Sequence, residues 1–383
     1  MESYPAVTPA VPKRVLMLST SYPPTPGAPS GPFVHRLAAR LVAAGCEVTV
    51  VAPAGDGAQP RVEDGVRSVF FRYAPSRFER IAHGDGIAYN VRARPVSAVL
   101  VPGLMAAFAA AAARHAGRAE VVHAHWLPSA LAARTTRLPR VVTVHGSDLL
   151  LADRFAPLVR RAIAGASLIT VNEQMAARLR ALAPAAAVRV IAPDGVDADA
   201  APYGLAQPNR VLFVGRLVEI KGVDVLVAAW RSVRAAIPDA VLEIVGDGPL
   251  RGSLAGEGIE LTGHLPHGEL AARYERAAVV AIPSRRDSFA IACLEAMAAG
   301  RPVVATAVGE MADRVRDGID GIVVPVGDRD ALARALVRLL GDAAEAAAMG
   351  VAGRARVVER YRWDAIVAAT LEAYSSARSK RGA

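Results

Sequence analysis

Short apolar runs alternate with longer helical patterns along nearly the whole chain. In the first half the runs are RVLMLS (14–19), EVTVVA (47–52), VRSVFF (66–71), EVVHA (120–124), RVVTV (140–144) and SLITV (167–171). Each has strand length and is rich in valine, isoleucine or leucine. Between them lie amphipathic stretches such as FVHRLAARLVAAG (33–45), where Gly45 follows the last turn and marks a helix stop. Continuous apolar strands separated by helices predict a parallel sheet covered on both faces. After a linker around 197–209 the rhythm restarts, with strands at 210–215, 240–246, 259–263, 278–284, 301–306 and 321–326 and helices at 222–236, 267–276 and 289–299. A helical run over about 328–378 and a basic tail, ARSKRGA, close the chain.

The pattern predicts an α/β protein of two doubly wound, Rossmann-like units in series, residues 13–200 and 206–360. Residues 1–12 read as a disordered lead, and 361–383 as a C-terminal helix free to cross back to the first unit, followed by the tail. Ligands of such sheets bind beyond the carboxyl ends of the strands, so the expected site is a cleft between the units.

Composition narrows the class. Hydrophobic residues make up 53% and charged residues 21%, the balance of a globular protein. Two cysteines, Cys46 and Cys293, are too few for a disulfide framework and fit a reducing, cytoplasmic setting. The opening MESYPAVTPAVP lacks the basic start and apolar stretch of a signal peptide. Residues 95–113 carry no charge and approach the roughly 20 apolar residues a membrane span needs. Pro102-Gly103 interrupts them and much of the rest is alanine, so a buried core helix is expected there.

The net charge of +9 is uneven: residues 1–200 hold 22 basic and 14 acidic side chains, +8, leaving +1 for the remainder. Such a field suits nucleic acid, anionic lipid or phosphorylated substrates. Aromatics are only 5% and do not interleave with basic blocks, which speaks against nucleic acid. Arg72, Arg77, Arg80, Arg92 and Arg94 are candidates for contact with an anionic membrane surface, the inner face for a cytoplasmic protein, or with a phosphorylated acceptor. Solvated surface is the alternative for all five.

Candidate chemistry gathers at strand ends. In VGRLVEIKGVD, Arg216 and Lys221 follow a strand and precede a helix, where two cations and an amide terminus suit a diphosphate. VGDGPL, with Gly246, Asp247 and Gly248, permits close backbone approach to a ligand. LTGHLP, with Gly263, His264 and Leu265, offers backbone that can read a base edge. SRRDSFAIACLEAMAAG places Asp287 in a turn and Glu295 in an alanine-lined helix with no base at i±4. A carboxylate there faces solvent or binds something outside the helix. Together with the free amides of 289–291, the two acids suggest polyol hydroxyls bracketing a phosphate. In the first half, Gly27 and Gly31 lie in a Pro/Gly/Ser loop without the dinucleotide fingerprint. His123, His125 and His145 raise zinc, but no carboxylate is placed as a further ligand, and no metal is expected. DAD (197–199) lies in the linker and is discounted as a metal triplet.

Taken in order, VGRLVEIKGVD, VGDGPL, LTGHLPHGEL, the acid-x7-acid element ending LEAMAAGRPVVAT, and PDGVD resemble the retaining GT-B glycosyltransferases of family four (glycosyl transferases group 1), over about residues 13–365. The resemblance implies transfer of a hexose from a nucleotide diphosphate sugar, UDP- or GDP-linked, to a hydroxyl of a lipid-linked, saccharide or small-metabolite acceptor. It implies no metal or other cofactor beyond that co-substrate. By resemblance, Arg216 and Lys221 hold the diphosphate, Glu295 takes the ribose, and Asp287 and His145 contact the donor sugar. The loop of Gly31 closes over the reacting groups. Gly215, Gly246, Asp247, Gly263, His264, Leu265, Ser288, Phe289, Ala290 and Ile291 complete the donor-binding set. Asp287 stands where the family usually has glutamate, Asp194 where it usually has asparagine, and VGEMAD (308–313) has one glycine where it often has two. Two alternatives stand beside this reading: a dinucleotide-dependent oxidoreductase, and a non-enzymatic basic binder of polyanions or membrane surfaces.

Overall fold

The computed structural model describes residues 12–28, 30–79, 81–82, 87–145, 155–197, 206–287, 290–309 and 311–382. The chain divides into two compact units: one runs to Asp194 and resumes at Asp364, the other spans Gly195–Trp363. The lead up to residue 11, Arg80 and most of the DAD triplet fall outside the described residues.

The first unit is built on eight strands: β1 (Arg14–Ser19), β2 (Glu47–Pro53), β3 (Arg61–Glu63), β4 (Val66–Phe71), β5 (Val121–His125), β6 (Arg140–Val144), β7 (Ser167–Thr170) and β8 (Val188–Val190). Their order is β3-β4-β2-β1-β5-β6-β7-β8. The pairings are parallel except β3 with β4, a hairpin at the sheet edge. β3 and β8 are additions to the sequence expectation. Each has three residues and sits at an edge, so neither carries an apolar run. The inner strands are buried nearly throughout, as a sheet covered on both faces requires.

The uncharged stretch near residue 100 splits into a 3₁₀ turn, Pro95–Leu100, and a helix, Val101–His115. Leu104, Phe108, Ala111 and Ala112 are buried, and Phe108 stacks on Phe71 at 4.8 Å. The expectation of a core helix therefore holds for one face of the second part only, because Val96 and Val99 are 83% and 76% exposed. By length and hydropathy, Pro95–Arg118 is enough to cross a membrane; its inner face packs on the sheet of this unit instead.

The second unit has six parallel strands: β9 (Arg210–Val214), β10 (Val241–Val245), β11 (Ile259–Gly263), β12 (Val279–Ile282), β13 (Val303–Thr306) and β14 (Gly321–Val324). They are ordered β11-β10-β9-β12-β13-β14. Trp230, Phe213, Leu226, Ile244 and Leu336 fill the core between sheet and helices. The expected long helical run is three helices, Arg329–Gly341, Ala343–Arg360 and Trp363–Gly382. Asp328 and Asp342 start the first two by accepting hydrogen bonds from the amides two or three residues on. The last helix packs in the first unit, where Tyr374 bonds His123 at 2.9 Å and Ser376 accepts from Arg189 at 2.8 Å.

Each sheet has one place where the strand order reverses: between β1 and β5 in the first unit, and between β9 and β12 in the second. There the following loops diverge to opposite sides and leave a crevice beyond the strand ends.

Candidate active site

In the second unit, backbone bonds stitch the strand ends together. Gly215 donates to Val245 at 3.0 Å, Gly246 to Gly263 at 2.8 Å, and Leu217 to Asp247 at 2.9 Å. Arg216 follows β9, and Lys221 ends a 3₁₀ turn, Glu219–Lys221, ahead of the helix Val223–Ala236. Gly222 has φ 69°, and a Cβ on it would lie 1.9 Å from the Pro283 carbonyl. Only glycine lets the loops after β9 and β12 touch here. Arg285 reinforces the contact: its amide bonds the Ile220 carbonyl, and its guanidinium grips Asp224 through two bonds of 2.7 and 2.6 Å. That grip holds the Asp224 carboxyl below its ordinary pKa and the Arg285 guanidinium above its own.

The result is a charged corner at the switch point. Lys221 Nζ lies 2.5 Å from Asp287 Oδ2. Asp287 Oδ1 accepts from the Ala290 amide at 2.8 Å, turning the chain into the helix Ile291–Ala298. Arg216 is exposed yet has protein around its charged group, so desolvation lowers its pKa while the Asp287 carboxylate opposes that shift. Lys221 thus pairs with Asp287, whose charge also acts on Arg216, so two cations and one acid meet at this strand end.

Glu295 is half-buried on the next helix, and its partner is Tyr274, whose hydroxyl donates to Oε2 at 2.7 Å. Tyr274 is 2% exposed, on the helix His267–Arg276, and no sequence motif pointed to it. Arg314 was also missed. Almost fully buried, it donates to the Ala290 carbonyl at 3.3 Å and so supports the turn that enters the Glu295 helix. Gly215, Gly246, Asp247, Gly263, His264, Leu265, Ala290 and Ile291 all fall at carboxyl ends of the strands or in the turn after them. Asp247 and His264 are exposed. Ser288 and Phe289 lie outside the described residues.

Gly31 and His145 belong to the first unit. Gly31 precedes the helix Pro32–Ala43 with φ 61°, and a Cβ there would meet the Ser21 carbonyl at 2.3 Å, so the loop after β1 folds back only with glycine. His145 follows β6, buried, with Nε2 3.3 Å from His125 Nδ1. Burial, and then the neighbouring His125, hold its pKa well below the ordinary value. His125 is pushed down to about 3 by burial, and His123 is lowered by burial and by both neighbours. All three imidazoles are neutral at pH 7. His123 uses both ring nitrogens, on Tyr374 and, at 2.7 Å, on Thr143, which leaves it no lone pair for zinc. Among the described residues no three His, Cys, Asp or Glu side chains group as a metal site.

Asp194 has a structural reason for being an acid: Arg36 grips it through two bonds, one of 3.0 Å from Nε, and the carboxylate is nearly fully buried. An amide in its place would lose one of the two acceptors.

A model of the glycosyl transferases group 1 matches residues 208–342, and one of glycosyltransferase family 4 matches residues 31–200. The chain is 30% identical to a glycogen synthase of Mycobacterium tuberculosis over 96% of its own length and 95% of the relative's. It is 30% identical to a GDP-mannose-dependent alpha-(1-6)-phosphatidylinositol monomannoside mannosyltransferase of the same species, over 93% and 96% of the two chains. To a D-inositol 3-phosphate glycosyltransferase of Catenulispora acidiphila it is 32% identical, over 82% and 87%. Among solved structures, a sucrose-phosphate synthase of Thermosynechococcus elongatus superposes with a TM-score of 0.76 at 24% identity, covering 95% of this chain and 98% of that one. HepE of Anabaena, in complex with UDP and glucose, does so at 0.70 and 17% identity, covering 95% and 100%. These likenesses show the GT-B fold.

Proposed function

The chain belongs to the family 4 glycosyltransferases (glycosyl transferases group 1), enzymes that use nucleotide sugars, and from that premise we propose a retaining, metal-independent hexosyl transfer from a UDP- or GDP-sugar. The observation that carries this is the corner where Lys221 and Arg216 converge on Asp287 at the switch point of the second unit. These cations hold the diphosphate and absorb the charge that grows on it as the glycosidic bond weakens. Glu295, braced by Tyr274, accepts from the ribose hydroxyls. Asp287 serves first as the acid that positions Lys221, its second oxygen being committed to the Ala290 amide. His145, neutral, hydrogen-bonds a hydroxyl of the transferred sugar. In the transfer the C1–O bond to the diphosphate breaks and a C1–O bond to the acceptor oxygen forms on the same face. The acceptor proton leaves to a phosphate oxygen, so no metal and no protonated histidine is required.

The acceptor class follows no single relative: their names cover a polysaccharide, a lipid-linked mannoside and an inositol phosphate. A hydroxyl of a saccharide, lipid-linked or small-metabolite acceptor is proposed. The test is release of nucleoside diphosphate from UDP- and GDP-hexoses by protein treated with EDTA, with the product's anomeric configuration read by NMR. Retention and full activity after chelation support the proposal; inversion, or loss of activity restored by a divalent cation, overturns it.

The same unit that holds His145 carries a surface suited to the inner face of an anionic membrane, and peripheral contact of a cytoplasmic enzyme is proposed there. Val96 and Val99 stand open beside exposed Arg92 and Arg94, and Phe78 is 48% exposed under the guanidinium of Arg77. Between residues 72 and 118 the sequence has seven arginines and two acids. Aliphatic side chains ringed by arginine fit acyl chains under anionic headgroups. Sedimentation with phosphatidylglycerol vesicles and not with phosphatidylcholine vesicles is expected, and its loss in Val96→Asp/Val99→Asp.

A further inference from the structure

The loop after β5 begins with Trp126, at φ 66° and ψ 154°. That region of backbone space belongs essentially to glycine, and at most of its positive-φ positions this chain has glycine. An indole is held there by its surroundings. The Trp126 amide donates to the Thr143 carbonyl at 3.0 Å. Its ring lies 4.4 Å from that of His145 and 5.7 Å from Phe33, which itself lies 5.2 Å from His145. Phe33 opens the helix that follows Gly31, so the cluster unites the ends of β1, β5 and β6. This is the switch point of the first unit, where a doubly wound sheet takes its ligand.

Two further features mark the cluster as a site. Trp126 and Phe33 are half-buried, while the other two tryptophans, Trp230 and Trp363, are buried at 2% and 6% exposure. Beneath them His125, 2% exposed, bonds His145 through Nδ1, while its Nε2 is buried with no partner among the described residues. A neutral imidazole with one unmet hydrogen bond, under a partly exposed aromatic surface without formal charge, suits a ligand that is apolar on one face and hydroxylated at its rim. A pyranose ring has that chemistry: its axial C–H bonds meet the electron-rich face of an indole, and its hydroxyls supply the polar contacts.

We propose that Trp126 is a substrate-stacking, specificity-determining residue, the platform for the pyranose ring of a sugar substrate in the first unit. This rests on the glycosyltransferase reading and deepens it. The sugar comes either from the nucleotide donor or from a saccharide acceptor.

Tryptophan emission of the full chain, excited at the red edge, tests it, because Trp126 is the one tryptophan of the three that is not buried. UDP-glucose and GDP-mannose are titrated against UDP and GDP, and maltotriose, methyl α-mannoside and myo-inositol form the acceptor arm. Thermal shifts with the same compounds run in parallel. A change with the nucleotide sugar but not with its nucleoside diphosphate assigns the donor hexose; a change with a saccharide or polyol assigns the acceptor. Trp126→Phe is expected to silence the signal, keep the thermal shift by nucleoside diphosphate, and raise KM for the stacked sugar less than Trp126→Ala does. Trp126→Gly relieves the backbone and is expected to keep or raise Tm while kcat/KM falls about tenfold through KM, roughly one aromatic contact. A merely structural tryptophan would instead lower Tm and leave KM unmoved, which overturns the inference. A nucleotide-dependent thermal shift with no emission change from any sugar overturns it too, and leaves the function standing. No thermal shift from any compound defeats both.

Discussion

The switch points of the two units are built on the same sheet logic and filled with opposite chemistry. In the second, two cations share one carboxylate and the loops are tied by ion pairs. In the first, three histidines are neutral by burial, and one of them, His145, packs against Trp126 and Phe33. A doubly wound sheet fixes where a ligand sits, and the side chains at its strand ends fix what kind. The charged corner suits the part of a nucleotide sugar that carries and gains negative charge. The neutral corner suits a ligand with hydroxyls and no charge.

The sharpest way to break that contrast is to remove the cations. Arg216→Ala and Lys221→Ala are each expected to lower kcat/KM by about 10²–10³-fold, the loss typical when one donor to a developing anion is deleted. Nucleoside diphosphate release measures it, with circular dichroism to show the fold intact. Parent activity in both variants would move the diphosphate elsewhere.

Acid separates the corners next. His125 has a folded pKa of about 3. Its unfolded value is about 6.5, so the unfolded chain binds the proton first. The stability it contributes is complete above pH 6.5 and is lost as pH falls towards 3. At pH 5 the loss from His125 alone is about 2 kcal/mol, with His123 and His145 acting in the same direction. Urea unfolding at pH 7 and pH 5 reads it. His125→Gln, which cannot titrate, should flatten the slope, and an unchanged slope would show that the imidazole is not buried neutral.

The smallest effect concerns Glu295. Tyr274→Phe deletes one hydroxyl bond to the carboxylate. The donor KM should rise about fivefold, equivalent to about 1 kcal/mol, with kcat little changed. A change in kcat with KM constant would take Glu295 away from ground-state donor binding.

What the sequence disclosed follows from what is local. The inner strands show as valine-rich runs and the strand-end loops as glycine beside charge, whereas the helix start at Asp342 stays hidden inside one helical pattern over about 328–378. Arg216, Lys221, Asp287 and Glu295 were legible because each follows a strand that periodicity already locates. Their partners were not. Tyr274 meets Glu295 across 21 positions, and Arg36 meets Asp194 across 158, and no period connects such pairs. Nothing in the sequence singles out Trp126, since a φ of 66° leaves no trace in composition. The edge strands β3 and β8 escaped because three residues each, RVE and VRV, are too short for a period to show.

Binding of a nucleoside diphosphate at the charged corner is what the proposed function requires. Its most direct measurement is the unfolding midpoint with saturating UDP or GDP, in the parent chain and in Arg216→Ala/Lys221→Ala. At a ligand concentration a hundredfold above Kd, one of the two should stabilise the parent by about 2.7 kcal/mol and leave the double variant almost unmoved. An equal rise in both proteins, or no rise in the parent with either nucleotide, would contradict the account.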